Sequence, residues 1–311
     1  MHIAIFFWDV LPAPTYGGTQ RMVVWLARGL AAAGHRVTLI AGHGSVVPES
    51  TLVPVAVDHA RRLDFDIRPR LPPGLDILVT YVPLRTKPDA PWVRVLPGNW
   101  KPGTPGAPNI IYLSRDHARR HGGQAFVYNG LDPAEFKFRR DKDDYDLFLG
   151  RLHTSKGYRL AVAGAKRLRR RLLLAGGWRP SLSRYVTYVG KVGGVRKADL
   201  LAGAGTLWMP AQWEEPFGIT LIEAMVSGTP VLGTRRGSLP EIVSPEVGAL
   251  GDTLEELVER RSTLGAIDPD ACRARVERHF THHVNAEGFL RMFRHYLADG
   301  VLPEGRLLGP L

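Results

Sequence analysis

Two carboxylates, Glu215 and Glu223, bracket the segment Glu215-Pro216-Phe217-Gly218-Ile219-Thr220-Leu221-Ile222-Glu223, which runs on into Ala224-Met225. The apolar run Thr206–Met209 before it reads as a strand, so a loop and then a helix over Phe217–Ser227 are predicted. A helix starting there would turn free backbone N–H groups and the positive end of its dipole toward an anion. Gly218 would let the backbone approach a ligand closely, and Glu215, ahead of the helix, could accept hydrogen bonds from sugar hydroxyls. Glu223 lies two turns in, among Leu221, Ile222, Ala224 and Met225, and a carboxylate in such surroundings needs a partner. The blander reading has Glu215 offsetting the helix dipole and Glu223 paired with a basic neighbour.

A second cluster, Gly150-Arg151-Leu152-His153-Thr154-Ser155-Lys156-Gly157, also follows an apolar strand and opens a helix. It would put a guanidinium and an ammonium at the mouth of a sheet, where they can clamp a diphosphate. Ser155 is placed to cap the helix. The glycine spacing is not that of a Walker-type phosphate loop, and a solvated basic turn is the alternative. A third cluster, Gly17-Gly18-Thr19-Gln20, would bring backbone close to a phosphate; it is not GxGxxG, and a tight turn explains it equally well.

The elements that would position these clusters alternate. Ile3–Phe7 reads as a buried strand, Leu11–Gly18 as a Pro/Gly loop, Thr19–Ala33 as a helix ended by Gly34, and Val37–Ala41 as a strand. Short strands follow at Leu52–Val57, Ile77–Thr80, Val93–Leu96, Ile110–Leu113 and Ala125–Val127, with Pro83–Pro108 mostly loop. The charged stretch Lys137–Asp146 marks a boundary. Beyond it the pattern resumes: strands at Asp146–Leu149, Leu172–Ala175, Val186–Val189, Thr206–Met209 and Pro230–Leu232, and helices at Lys156–Arg169, Val195–Ala202 and Phe217–Ser227. Helices dominate after Thr253. The order predicts an α/β protein with two doubly wound, parallel sheets.

Composition narrows the classes. The 311 residues are 44% hydrophobic and 23% charged, which excludes a mainly disordered chain. A single cysteine excludes internal disulfides and Cys-rich zinc modules. No apolar run is long enough to span a membrane, and Ile3–Trp8 is too short for a signal-peptide core. A cytoplasmic protein is expected. The net charge is +11, and 33 of the 41 basic residues are arginine. Residues 1–140 alone carry 17 Lys+Arg against 10 Asp+Glu. Such charge suits nucleic acid, anionic lipid or phosphorylated small molecules, without choosing among them.

Taken together, the clusters resemble the signatures of the family-4 retaining glycosyltransferases. The Glu215–Glu223 segment with Glu-Pro-Phe-Gly carries most of the likeness. Gly17-Gly18, Gly34-His35-Arg36-Val37-Thr38, Asn129-Gly130-Leu131-Asp132 with Phe136, Gly150-Arg151-Leu152 with Lys156-Gly157, and Gly237 with Pro240-Glu241-Ile242-Val243 fall in the family's order. The resemblance implies a GT-B fold, with two Rossmann-like doubly wound domains facing across a cleft. Residues 1–140 would form the acceptor-side domain and 141–280 the nucleotide-sugar domain. A helix over Phe280–Leu297, within a returning segment of about 281–311, would rejoin the first.

The resemblance further implies a retaining, metal-independent transfer from a UDP- or GDP-linked sugar, with no cofactor beyond that donor. Glu223 would hold the ribose, Arg151 and Lys156 the diphosphate, and Glu215 with the backbone of Phe217, Gly218 and Ile219 the transferred sugar. Gly17 and Gly18 would approach the donor phosphate, and the base would lie near Val189-Gly190-Lys191. The acceptor would be a saccharide, lipid or small molecule, and the basic first domain would suit an anionic one or a peripheral contact with the inner face of the membrane.

The sequence departs from the family at two first-domain strands. Pro97-Gly98-Asn99-Trp100 stands where a histidine is usual, and Tyr81 ends the neighbouring strand. Asn99 can hydrogen-bond a sugar hydroxyl but cannot act as a base; His43, His117 and His121 could substitute for the histidine, although each reads more readily as a surface residue. A catalytically silent nucleotide-sugar-binding protein or assembly partner is therefore the alternative to an enzyme. A nucleic-acid binder ranks last, since the chain shows no platform of aromatic and basic residues.

Overall fold

A computed structural model describes residues 1–13, 17–62, 64–101 and 107–309. Pro14, Thr15 and Tyr16 of the first glycine loop, residues 102–106 of the Pro/Gly stretch, and the last two residues of the 281–311 segment lie outside the described residues. The chain divides into two compact units, one of Met1–Leu131 with Thr281–Leu307, the other of Asp132–Phe280 with the residues from Leu308 on.

In the first unit β1 (His2–Phe6), β2 (Arg36–Gly42), β3 (Thr51–Val55), β4 (Ile77–Thr80), β5 (Trp92–Val95) and β6 (Ile110–Ile111) form one sheet of order β3-β2-β1-β4-β5-β6. Every pairing is parallel. A parallel sheet is covered on both faces, so its inner strands read as unbroken apolar runs; β1 and β4 are buried throughout. The edge strand β3 is half exposed and accommodates Pro54, which a central strand would not. Residues 125–127 do not extend the sheet: they form a single bridge, Tyr112 to Phe126.

The helices of this unit are α1 (Gly18–Ala32), α2 (Val57–Ala60) and α3 (Arg115–Arg120). Gly34 ends α1 as its sequence position predicts. At φ +81° it donates to Ala31 O while His35 N donates to Leu30 O, the two bonds of a Schellman cap.

The second unit repeats the plan with β7 (Asp146–Leu149), β8 (Leu172–Ala175), β9 (Val186–Gly190), β10 (Leu207–Met209), β11 (Val231–Gly233) and β12 (Gly248–Leu250), in the order β12-β11-β10-β7-β8-β9. These pairings are parallel as well. Its helices are α4 (Tyr158–Leu168), α5 (Gly194–Gly203), α6 (Ile219–Val226), α7 (Leu239–Ile242), α8 (Leu254–Thr263) and α9 (Pro269–His279). The stretch 137–146 is docked on this unit rather than free. Lys137 pairs with Asp199, Arg140 with Asp270 at 2.7 Å, and Lys142 Nζ donates to Ala202 O, Ser227 O and Thr229 Oγ1.

At the base of β7 the buried Asp146 accepts from Trp208 Nε1 at 2.9 Å, from Arg261 Nε and Nη2 at 2.8 and 2.7 Å, and from Arg170 Nε at 3.0 Å. One carboxylate thus ties β7, β10, the entry to β8 and α8 together. Gly164 of α4 packs where any Cβ would strike the Trp208 ring.

The chain rejoins the first unit at Thr281. Leu131 bridges Thr281, His282 N donates to Leu131 O, and Asn285 Nδ2 donates to Tyr128 O at 2.7 Å. The last helix, α10 (His282–Asp299), then packs along α1, so closely that a side chain at Gly29 would collide with His282 O.

Candidate active site

In both sheets the strand order reverses beside the first strand of the unit: between β1 and β4, and between β7 and β10. Connections leave such neighbours in opposite directions, which opens a crevice at their carboxyl ends where ligands of doubly wound sheets bind. The Gly150–Gly157 loop follows β7 and the Glu214–Gly218 loop follows β10, so the second crevice collects both clusters.

The two loops are fitted to one another by backbone. Gly157 has φ +73° and lies where a Cβ would collide with Pro210 O, and Gln212 N donates to Ser155 O at 2.7 Å. Gly157 therefore splits the helix expected from Lys156 onward into a 3₁₀ turn, Thr154–Lys156, and α4. Ser155 caps neither. Its N–H donates to His153 Nδ1, and Gly157 itself is the N-cap of α4.

On the other side the 236–238 turn clasps the Glu215 loop. Gly237 N donates to Glu214 Oε2 at 2.6 Å, Ser238 N to Glu215 O at 2.9 Å, and Ser238 Oγ to Phe217 O at 2.8 Å. Gly237, at φ +59°, passes too close to the Glu215 backbone for any side chain. The helix α6 begins at Ile219, two residues later than the sequence suggests, because Gly218 adopts φ +78° as its N-cap. No side chain caps α6.

Held this way, Glu215 is 7% exposed and Lys156 Nζ donates to its Oε2 at 2.6 Å. Trp213 Nε1 donates to the same oxygen at 2.8 Å, and the Lys156 ammonium sits 4.6 Å from the Trp213 ring centre. An ammonium has three donors, so Lys156 is oriented by Glu215 and the ring while keeping donors for another anion. Arg151 is exposed on the same loop, and among the described residues its guanidinium has no carboxylate partner.

Glu223 is fully buried, and Lys197 Nζ of α5 donates to its Oε1 at 2.9 Å. The partner that the apolar flanks of Glu223 demanded is thus a lysine 26 residues away. Neither Lys197 nor Trp213 was singled out from the sequence. Trp213 precedes Glu215 by two positions and was open to notice; nothing local marks Lys197. Gly190 ends β9 at φ +79°, with open space where a side chain would point, and its carbonyl accepts from Gly176 N at 2.7 Å.

Gly17, Gly18 and Asn99 belong to the first unit. Gly17 is the extended N-cap of α1, which has no side-chain cap, and Gly18 faces open space. Asn99 follows β5 and accepts from Arg120 Nη2 at 3.0 Å. His117, expected at the surface, is wholly buried. It accepts from Leu113 N through Nδ1, so Nε2 carries the proton that faces Gly98 O at 3.2 Å. Burial first, then His121 and Arg120, pushes its pKa down to about 3. It is a neutral brace for the loop that carries Asn99. Burial likewise drives the Tyr81 phenol above its ordinary range.

Asp-x-Asp pairs occur at Asp64/Asp66, Asp141/Asp143, Asp144/Asp146 and Asp268/Asp270, but Asp66 is tied to Arg68, Asp143 to Arg139, Asp146 to Arg170 and Arg261, and Asp270 to Arg140. Among the described residues no three His, Cys, Asp or Glu side chains gather as a metal-binding group, and no helix is long and apolar enough to cross a membrane.

The architecture is that of the GT-B glycosyltransferases, two Rossmann-like α/β units, each with a parallel-stranded sheet. AviGT4, a glycosyltransferase involved in avilamycin A biosynthesis, is 29% identical with a TM-score of 0.78, over 97% of this chain and 99% of its own. Anabaena Alr3699/HepE, solved in complex with UDP-glucose, shares the fold at a TM-score of 0.67 and 15% identity, over 96% of this chain and 99% of its own. Residues 145–264 match the family described as Glycosyl transferases group 1. An uncharacterized glycosyltransferase of Methanocaldococcus jannaschii is 30% identical over 154 residues, which is 40% of this chain and 39% of that relative's length.

Proposed function

We propose that the protein is a retaining glycosyltransferase of family 4, moving a sugar from a UDP- or GDP-linked donor to an acceptor. The observation that carries this reading is the Lys156–Glu215–Trp213 constellation in the crevice between β7 and β10. Breaking the bond between the anomeric carbon and the diphosphate oxygen leaves negative charge on the departing nucleotide. Lys156, Arg151 and the uncapped N-terminus of α6 supply fixed positive charge there, which lowers the barrier without a metal ion.

Glu215 has one oxygen engaged by Lys156 and Trp213; the other is available to the hydroxyls of the transferred sugar and to the positive charge that develops on its ring. The acceptor oxygen would attack the face the nucleotide leaves, which retains the anomeric configuration. Glu223 would receive the ribose hydroxyls once Lys197 yields its oxygen. Gly190 would lie against the base. The similarity to AviGT4 over nearly the full length and the UDP-glucose complex of HepE support a nucleotide-sugar donor.

The test is a panel of UDP- and GDP-sugars assayed by thermal shift and calorimetry. A donor should raise the melting temperature of the wild-type protein, since ligands of the folded state alone stabilise it, and Lys156→Met should abolish the shift. No response to any donor would sink the proposal. Asn99, in place of a histidine, favours one second reading, a protein that binds the donor without transferring it. Transfer to any saccharide, lipid or small-molecule acceptor in a mixed screen rejects that reading.

A further inference from the structure

The amino-terminal edge of the second sheet, at the opposite end of its strands from Glu215, contains a cavity of about 740 Å³. It is bordered by the residues leading into β7, β8, β10 and β11 and by the end of α8. Its size falls within the range of small-molecule sites.

Its walls are unevenly charged. Arg140, Lys142, Arg169, Arg170, Arg171 and Arg261 line it against Asp143 and Asp144. With their ion-pair partners Arg139, Asp146 and Asp270 included, seven cations face four carboxylates.

The plainest explanation is that these cations serve the fold, and for some of them it holds. Arg170 and Arg261 saturate Asp146, Arg140 is held by Asp270, and the three donors of Lys142 go to Ala202 O, Ser227 O and Thr229 Oγ1. The negative end of α4 offsets only about half a charge more. Arg169 and Arg171 are left over. Both are exposed at the rim, and among the described residues neither guanidinium has a carboxylate partner. Arg169 occupies a left-handed backbone position, φ +51°, which glycine would adopt more readily.

We propose that this cavity is a second ligand site, taking a phosphate-bearing small molecule whose phosphate is gripped by Arg169 and Arg171. Two exposed guanidinium forks bordering one opening can match the oxygens of a phosphate, and a group of about two negative charges answers the excess better than a single carboxylate. Lys142 contributes its field rather than a contact. The remaining volume would house the organic part of the ligand. This site stands apart from the donor crevice and does not depend on what that crevice binds.

The experiment is calorimetric titration of the full chain with glucose 6-phosphate and with pyrophosphate, at low and moderate salt. It is performed on Lys156→Met, to silence the donor crevice, and on Lys156→Met combined with Arg169→Gly and Arg171→Ala. The proposal expects saturable binding to the first protein that weakens with salt, and at least a tenfold loss in the second. Melting curves establish that both are folded, and Arg171→Glu alone is the reserve should the combination not fold. Equal binding by both proteins would overturn the proposal. So would the absence of binding, or binding only to phosphatidic acid vesicles, which would make the rim a lipid contact.

Discussion

The two edges of the second sheet handle buried carboxylates in different ways. At the amino edge, Asp146 receives four hydrogen bonds from three side chains, two of them cationic. At the carboxyl edge, Glu215 has Lys156 and an indole N–H on a single oxygen. The first arrangement uses up the donors around the carboxylate and fixes the fold. The second leaves ammonium protons and carboxylate lone pairs for a visitor. Saturation marks structure and incomplete saturation marks a site, although both carboxylates are nearly inaccessible to water.

Four substitutions test that contrast. Asp146→Ala strands two guanidinium groups and should cost about 4 kcal/mol in urea denaturation; a loss below about 1 kcal/mol would remove the distinction between the edges. Glu215→Gln should lower transfer or donor hydrolysis on the order of a hundredfold, close to 3 kcal/mol of barrier, and cost much less stability than Asp146→Ala. An equal stability loss with unchanged turnover would reverse its assignment. Lys197→Met leaves the Glu223 carboxylate buried without its ammonium and should cost about 2–3 kcal/mol, read by chemical denaturation. Little change would mean that the ion pair is not what makes the buried Glu223 carboxylate tolerable. Arg169→Gly is the smallest effect and has the opposite sign. Relieving the left-handed arginine should raise stability by roughly 1 kcal/mol in the same measurement, so a loss would mean that Arg169 braces the edge.

Much of this was legible in local pattern. Continuous apolar runs between glycine turns mark parallel strands covered on both faces, and Gly34 ends α1 as its position indicates. The segments bearing Arg151, Lys156, Glu215 and Gly218 follow strands in the sequence as they do in the fold. The misreadings share a cause. Ser155 and the start of α6 were misjudged because Gly157 and Gly218 adopt positive φ in answer to neighbouring loops, which no local window contains. Lys197 for Glu223, and Arg261 for Asp146 across 115 residues, are pairings made by strand order. His117 sits in a run of arginines that suggests solvent, yet its helix turns that one ring inward beneath Gly98. The strand β12, three residues long at the sheet edge, lacks the apolar run by which the others were read.

The return of α10 to the first unit also sets an order in time. The face of α1 around Gly29 is covered only when His282 and the residues after it arrive, and Leu131 gains its bridge only with Thr281. During synthesis, residues 132–280 can therefore complete their sheet while the earlier part of the chain still waits for its last helix. Domains usually finish in the order in which they emerge from the ribosome; here the unit that begins first closes last. Until it does, a strip of apolar helix surface stays open to water.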